Sequence, residues 1–203
     1  MQIDSNFELQ IKILLIGDSG VGKTNFIHRF TEGKFNPLYV TTVGLDFKSK
    51  IIQLPKLKKI VKLQIWDTAG QERYMAINKN LFQKVEGIII MYDLSNRNSF
   101  ENINKWLNMA MQATSNKTMM LVGNKLDLVK DNRYVSEKER EELAKSNHIL
   151  FCEGSGCSGE NVDKIFTAIA EKICQRLMDD KSEDLNNNIN LNKEPKKEKK
   201  KCC

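Results

Sequence analysis

Eight consecutive residues, Gly17-Asp18-Ser19-Gly20-Val21-Gly22-Lys23-Thr24, leave this chain few choices of fold. They fit G-x-x-x-x-G-K-[ST], a loop that cradles phosphate groups between a strand and a helix. The flanks suit it. Leu9 to Ile16 is an apolar run of strand length, and Phe26, Ile27 and Phe30 follow at helical spacing. Backbone N–H groups on such a turn can converge on an anion. Lys23 would reach the β- and γ-phosphates, and the Thr24 hydroxyl would ligate Mg²⁺. A chance glycine-rich turn would have no reason to carry both flanks. The loop implies a nucleoside phosphate without naming the base.

The chain's 203 residues fit one ordinary domain plus a tail, and 40% apolar residues suffice for a core. Its formal charge of +6 is unevenly placed: Lys193 to Lys201 (KEPKKEKKK) carries +4, leaving about +2 elsewhere. A near-neutral domain is a poor nucleic-acid binder, because that affinity rests on neutralising phosphates. The first ten residues show neither a basic nor an apolar signal region. No apolar run approaches the ~18 residues of a spanning helix. Five cysteines, with no C-x-x-C among Cys152, Cys157 and Cys174, read as reduced thiols in a cytosolic protein.

Strand and helix signals alternate along the chain. Leu45–Leu54 and Ile60–Trp66 read as a hairpin around Pro55, with Lys56, Lys58 and Lys59 making a soluble turn. Gly87–Tyr92, Thr118–Val122 and Ile149–Cys152 read as buried strands. Phe100, Ile103, Trp106, Leu107 and Ala110 share one helical face, and Val162 to Leu177 mark a final amphipathic helix. Ser136 to Glu139 is a capping box for a short helix through Ala144. The pattern predicts a mostly parallel sheet covered on both faces, with ligands at the carboxyl ends of its strands. Thr31–Gly44 and Asp67–Asn80 are polar and aperiodic, and read as loops near that edge.

Two further motifs choose the chemistry. In Asp67-Thr68-Ala69-Gly70-Gln71, Asp67 can hold Mg²⁺ through water, the Gly70 N–H can touch a γ-phosphate, and Gln71 can orient an attacking water. In Asn124-Lys125-Leu126-Asp127, the Asp127 carboxylate can accept from the adjacent N1 and N2 donors of guanine, which adenine lacks. Adenine would leave that carboxylate unpaired, a mismatch able to reject it by roughly 10⁴-fold. Asn124 would brace the loop and approach guanine N7, and the Lys125 stem would cover one face of the base.

With these motifs in this order, residues 9 to 178 resemble the Ras superfamily of small GTPases. The likeness is greatest to Rab proteins, through Thr42–Phe47, Lys62–Thr68, Tyr92-Asp93-Leu94 with Ser99-Phe100, and Cys202-Cys203. The resemblance implies a three-layer α/β P-loop NTPase fold: a six-stranded, mostly parallel sheet with one antiparallel edge strand and about five helices. It divides the chain into a short extension (1–8), a GTPase domain (9–178) and a disordered tail (179–203). Thr31–Gly44 becomes a first switch, in which Thr42 completes the Mg²⁺ shell in the triphosphate state and Phe35 stacks on the guanine edge. Residues 67 to about 82 become a second switch. Catalysis is implied for Gln71, Lys23 and Thr42, and metal binding for Thr24, Thr42 and Asp67. Val43, Gly44, Phe47, Trp66 and Leu81 are implied as the effector surface.

The chain departs from the family at two functional points. The last base-contacting motif, typically S-A-K, appears as Ser155-Gly156-Cys157; Gly156 keeps the backbone N–H that reads guanine O6, whereas Cys157 removes a long side chain from the pocket. Leu81 stands where the Rab effector triad has an aromatic.

The resemblance implies geranylgeranyl groups on Cys202 and Cys203, and two chains beside a basic cluster anchor a protein stably. It also implies an exchange factor, a GTPase-activating protein, a prenylation escort, a GDP-dissociation inhibitor and switch-reading effectors. The GTPase domain is expected to be monomeric and to cycle between cytosol and the cytoplasmic face of internal membranes or the plasma membrane. A GTP-binding scaffold with little turnover, a non-trafficking switch of the same superfamily and an adenylate-type kinase or ATPase are the alternatives. Gln71, Thr42 and Asp67 argue against the first, and Asp127 against the last.

Overall fold

The structure, a computed structural model, describes residues 7–38, 45–68, 79–113, 117–129 and 134–191, without the side chains of 79–80 and 183–191. The chain forms two units, residues 1–173 and 174–203.

The first unit is built on a six-stranded sheet. Its strands are β1 (Leu9–Ile16), β2 (Leu45–Leu54), β3 (Lys59–Thr68), β4 (Gly87–Asp93), β5 (Thr118–Asn124) and β6 (Leu150–Glu153), in the order β2-β3-β1-β4-β5-β6. Only β2 runs antiparallel, paired to β3 across a tight 3₁₀ turn at Pro55–Leu57. The lysines of that turn make surface ion pairs: Lys56 with Glu171 at 3.0 Å and Lys59 with Glu8 at 3.1 Å.

Helices α1 (Lys23–Glu32), α2 (Lys79–Gln83), α3 (Arg97–Glu101), α4 (Ile103–Ala113), α5 (Glu137–Ser146) and α6 (Val162–Leu191) complete the element order. Asn102 interrupts what the sequence periodicity reads as one helix, so α3 and α4 are two. The α5 capping box is present, with the Ser136 hydroxyl and the Glu139 carboxylate each meeting the other's backbone N–H.

Alternation along the strands sends side chains to both faces. On one face Leu14, Ile16, Ile88, Ile90 and Tyr92 meet Phe100, Trp106 and Leu107 from the helices. On the other, Phe30 of α1 stacks on Phe166 of α6 at 4.1 Å, and Ile169 and Ile173 press against Gly87. A strand covered on both faces reads as a near-continuous apolar run; all seven residues of β4 are buried, and the apolar run ends at Asp93.

Two sequence expectations are corrected. Leu81, assigned to the effector surface, is only 8% exposed and packs in the core with Phe82 and Val85. An aliphatic side chain on a short helix laid over the sheet gains more by burial than by facing water. The second concerns the tail: residues 179–191 are helical in the second unit, where disorder was expected. Once a helix is nucleated each added residue costs little, and no Gly or Pro occurs from Val162 to Glu194. The remainder of the tail, with Cys202 and Cys203, lies outside the described residues.

Candidate functional site

The chain leaves β1 to one side toward β3 and to the other toward β4, so a crevice opens beyond the carboxyl end of β1. The loop Gly17–Gly22 fills its floor. Gly17 has φ 141°, and a Cβ there would lie 2.1 Å from the Met91 carbonyl oxygen. Gly22 has φ 94°, with Asn124 Nδ2 only 2.6 Å from where its Cβ would be. Only glycine lets this loop lie so close to β4 and β5.

Lys23 opens α1 and is 5% exposed. Its ammonium donates to the carbonyls of Gly17 and Asp18, each at 2.8 Å. Burial pushes its pKa down to about 8, against the attraction of Asp67 and Asp18. A buried cation held by two carbonyls is poised to exchange them for a charged phosphate oxygen.

Next to it, the Thr24 hydroxyl donates to Asp67 Oδ2 at 2.6 Å. Asp67 is 7% exposed, and its other oxygen, Oδ1, is buried with no hydrogen-bond partner among the described residues. Burial raises the Asp67 pKa, partly offset by the Thr24 hydrogen bond and the Lys23 charge. A hydroxyl and an orphaned carboxylate oxygen side by side suit a hard cation that takes its remaining ligands from water and phosphate. No group of three His, Cys, Asp or Glu that could hold a metal occurs among the described residues.

At the far end of the crevice, three strand-end loops are sewn together. Asn124 Nδ2 donates to the Val21 carbonyl at 2.8 Å, and Asn124 Oδ1 accepts from Gly156 N–H at 3.0 Å. The brace expected of Asn124 is therefore present, and the Gly156 N–H expected to face guanine O6 is engaged by it. Lys125 adopts a left-handed conformation (φ 64°) and its ammonium pairs with Asp93 at 2.7 Å. Asp127 sits in a 3₁₀ turn, where the Ser155 hydroxyl donates to its carboxylate. The fully buried Ser155 oxygen also accepts from the N–H groups of Cys157 and Ser158.

Between these ends lies one cavity of about 440 Å³. Ser19, Gly20, Gly22, Lys23 and Thr24 line one end, and Asn124, Lys125, Asp127, Gly156 and Cys157 the other. Phe35 lies on the wall with His28, to which the sequence assigned no role. The other loop residues stand behind the wall. Gly17 and Val21 contribute carbonyls as described, while Asp18 turns away to accept from Trp106 Nε1 and Asn102 Nδ2, both at 2.7 Å. Trp106 thus does more than fill the core, a role its periodicity alone could not reveal. Thr42, Val43, Gly44, Gly70 and Gln71 lie outside the described residues. Phe47, 47% exposed, packs on Trp66 at 4.9 Å on the sheet's outer strands.

Comparison with known proteins matches residues 12–175 to the Ras family model. The chain belongs to the Ras family. Among its relatives, the Ras-related protein Rab-10 of Diplobatis ommata is 44% identical over 84% of both chains. The GTP-binding protein ypt2 of Schizosaccharomyces pombe is 39% identical over 98% of both. The Ras-related protein SEC4 of Candida albicans is 42% identical over 86% of this chain and 82% of its own. This Ras-family chain is thus a small GTPase of Rab type, hydrolysing GTP to GDP and phosphate. GTP and GDP are its nucleotides, and regulators and effectors are its kind of partner.

Proposed function

We propose that this GTPase works as a membrane-anchored switch in vesicle traffic, with the 440 Å³ cavity as its nucleotide site. One observation carries the reading: Lys23 and Thr24, the latter bonded to Asp67, and Asn124 and Asp127, the latter bonded to Ser155, line a single cavity. The base lies against Lys125 and Phe35, with the Asp127 carboxylate accepting its N–H donors. Lys23 leaves the loop carbonyls for the β- and γ-phosphates, and the Gly20–Gly22 backbone holds their remaining oxygens.

Thr24 and Asp67 are the described residues that would hold Mg²⁺, with Thr42 completing the set in the triphosphate state. The ion would neutralise charge developing between the β- and γ-phosphates. Gln71 orients the attacking water, and the Gly70 N–H meets the γ-phosphate. Loss of that phosphate releases Thr31–Gly44 and the segment from Asp67 to about residue 82, the two segments that effectors read. Val43, Gly44, Phe47 and Trp66 form the effector surface. The exposed Phe47, stacked on Trp66, supports that reading.

An activating protein supplies the group needed for fast hydrolysis, a contribution of about 10³–10⁵ in rate. An exchange factor opens the site, and a prenylation escort and a dissociation inhibitor shield lipids on Cys202 and Cys203. Among the described residues no helix is long and apolar enough to cross a membrane, so lipid and the lysines of 193–201 supply the attachment.

The deciding experiment compares hydrogen exchange in samples loaded with GDP or a non-hydrolysable GTP analogue, alongside single-turnover hydrolysis with Mg²⁺. Greater protection of 31–44 and 67–82 with the analogue is expected; equal protection sinks the switch. Microscopy of the tagged chain, intact and with both terminal cysteines changed to serine, tests the anchor. A diffuse intact protein would remove it.

A further inference from the structure

The outward side of α1 carries a guanidinium that serves two loops at once. Arg29 Nε donates to the Gly156 carbonyl at 3.0 Å, and Nη2 donates to the Cys157 carbonyl at 2.5 Å. Its third nitrogen, Nη1, donates to the Gly33 carbonyl at 2.8 Å. An arginine in the last turn of a helix ordinarily satisfies nearby carbonyls of its own chain end. Here one bond of the three does so, while the other two reach residues 127 and 128 positions away.

The loop they reach is braced from within through Ser155, which accepts from the N–H groups of Cys157, Ser158 and Gly159, but none of those bonds engages the Gly156 or Cys157 carbonyl. Residues 154 to 159 read Gly-Ser-Gly-Cys-Ser-Gly, with three glycines and no cation. Asn124 and Asp127 hold it from the cavity side, the Gly123 and Glu160 carbonyls accept from its first two N–H groups, and Arg29 holds it from outside. The fork also rests beside Gly159, where an added Cβ would lie 3.5 Å from Arg29 Cδ. One turn earlier on α1, Asn25 exchanges two hydrogen bonds with the Asn36 backbone, at 2.8 and 3.0 Å. Residues 25 and 29 stand four apart, on the same face of the helix. That face therefore holds both the base loop and the segment carrying Phe35.

We infer that Arg29 is a positioning residue for nucleotide retention, resting on the reading of the cavity as a GDP/GTP site. Its planar fork fixes two loop carbonyls relative to the Gly33 carbonyl, and the base loop stays closed over the nucleotide while the fork is intact. Release of GDP requires the fork to open. Lysine, a single ammonium without the planar geometry, holds fewer of these carbonyls at once.

The test is release of fluorescent GDP from the full chain, chased with excess GDP, for wild type, Arg29→Ala, Arg29→Lys and Lys172→Ala. Lys172 is an exposed cation on α6 outside the cavity, and its loss controls for charge alone. Arg29→Ala is expected to release GDP at least about tenfold faster, Arg29→Lys to fall between, and Lys172→Ala to match wild type. Hydrogen exchange with saturating GDP should rise at 154–159 and 33–36, with β1 and β4 unchanged. Release from Arg29→Ala at the wild-type rate overturns the inference. So does exchange rising equally in β1 and β4, the mark of a merely structural role. Should Arg29→Ala fail to fold, Arg29→Lys decides alone, and wild-type release from it overturns the inference. A wild type that retains no GDP removes both the site reading and this one.

Discussion

The buried Ser155 hydroxyl donates to the Asp127 carboxylate from the loop after the next strand, and Asp127 lines the cavity. Ser155→Ala removes the donor and leaves the Cys157 and Ser158 N–H groups without their acceptor. Each lost buried partner costs about 1–3 kcal/mol, so GDP affinity should fall by about 10- to 100-fold in a titration. Asp127→Asn tests the same relationship through the base. An amide replaces one acceptor with a donor, which suits the N1–H and O2 of xanthine. GDP should weaken by 100-fold or more and xanthosine diphosphate should gain, given the penalties for mismatched polar groups. An unchanged preference would remove Asp127 from the base site.

Thr24→Ala removes the hydroxyl that donates to Asp67 Oδ2, beside an Oδ1 that has no partner among the described residues. With one ligand of the proposed ion gone, the slowing of GDP release by Mg²⁺ should largely disappear. Release rates with Mg²⁺ and with chelator, in both proteins, are the measurement. A Mg²⁺ effect as large as in wild type would show that Thr24 is not a ligand.

Gly17→Ala places a methyl group against the Met91 carbonyl at a backbone angle that alanine rarely adopts. Destabilisation of about 2–3 kcal/mol is expected from overpacking and strain, read from urea unfolding. Gly33 also has a positive φ but open space around it, so Gly33→Ala should cost less. The contrast between the two separates crowding from backbone preference.

Glu139 gives a pH-dependent prediction. Arg97, together with the Ser136 N–H and hydroxyl, holds its carboxyl at about 2, below its ordinary 4.5. A depressed carboxylate stabilises the fold above its unfolded pKa, and that contribution fades as pH falls through the folded value. Glu139→Gln should therefore be less stable than wild type near neutrality, with the gap narrowing from pH 4.5 toward 2. Thermal melts across that range are the check, and a gap independent of pH would remove the charge from the explanation.

Much of this molecule could be read from its residues because its signals are local. The hairpin Leu45–Leu54 with β3, the buried β4 and the Ser136 capping box each follow from spacing and side-chain type. The phosphate and base loops announce themselves as motifs. What the sequence hid is pairwise and distant. Neither Arg29 with Gly156 nor Trp106 with Asp18 has any signature in spacing, since each bond joins segments more than 80 positions apart. The family position of Leu81 points to the surface, whereas its aliphatic character favours the core. The helix to Leu191 has no apolar periodicity to signal it in its polar stretch, although nothing in it breaks a helix.

The antiparallel pairing of β2 with β3 places the Pro55–Leu57 turn at the amino-terminal edge of the sheet, away from the carboxyl ends that bear the cavity. A reporter protein or dye spliced into that bend would ride on the edge of the sheet opposite the cavity. It would cost the Lys56–Glu171 pair, yet leave the cavity unobstructed.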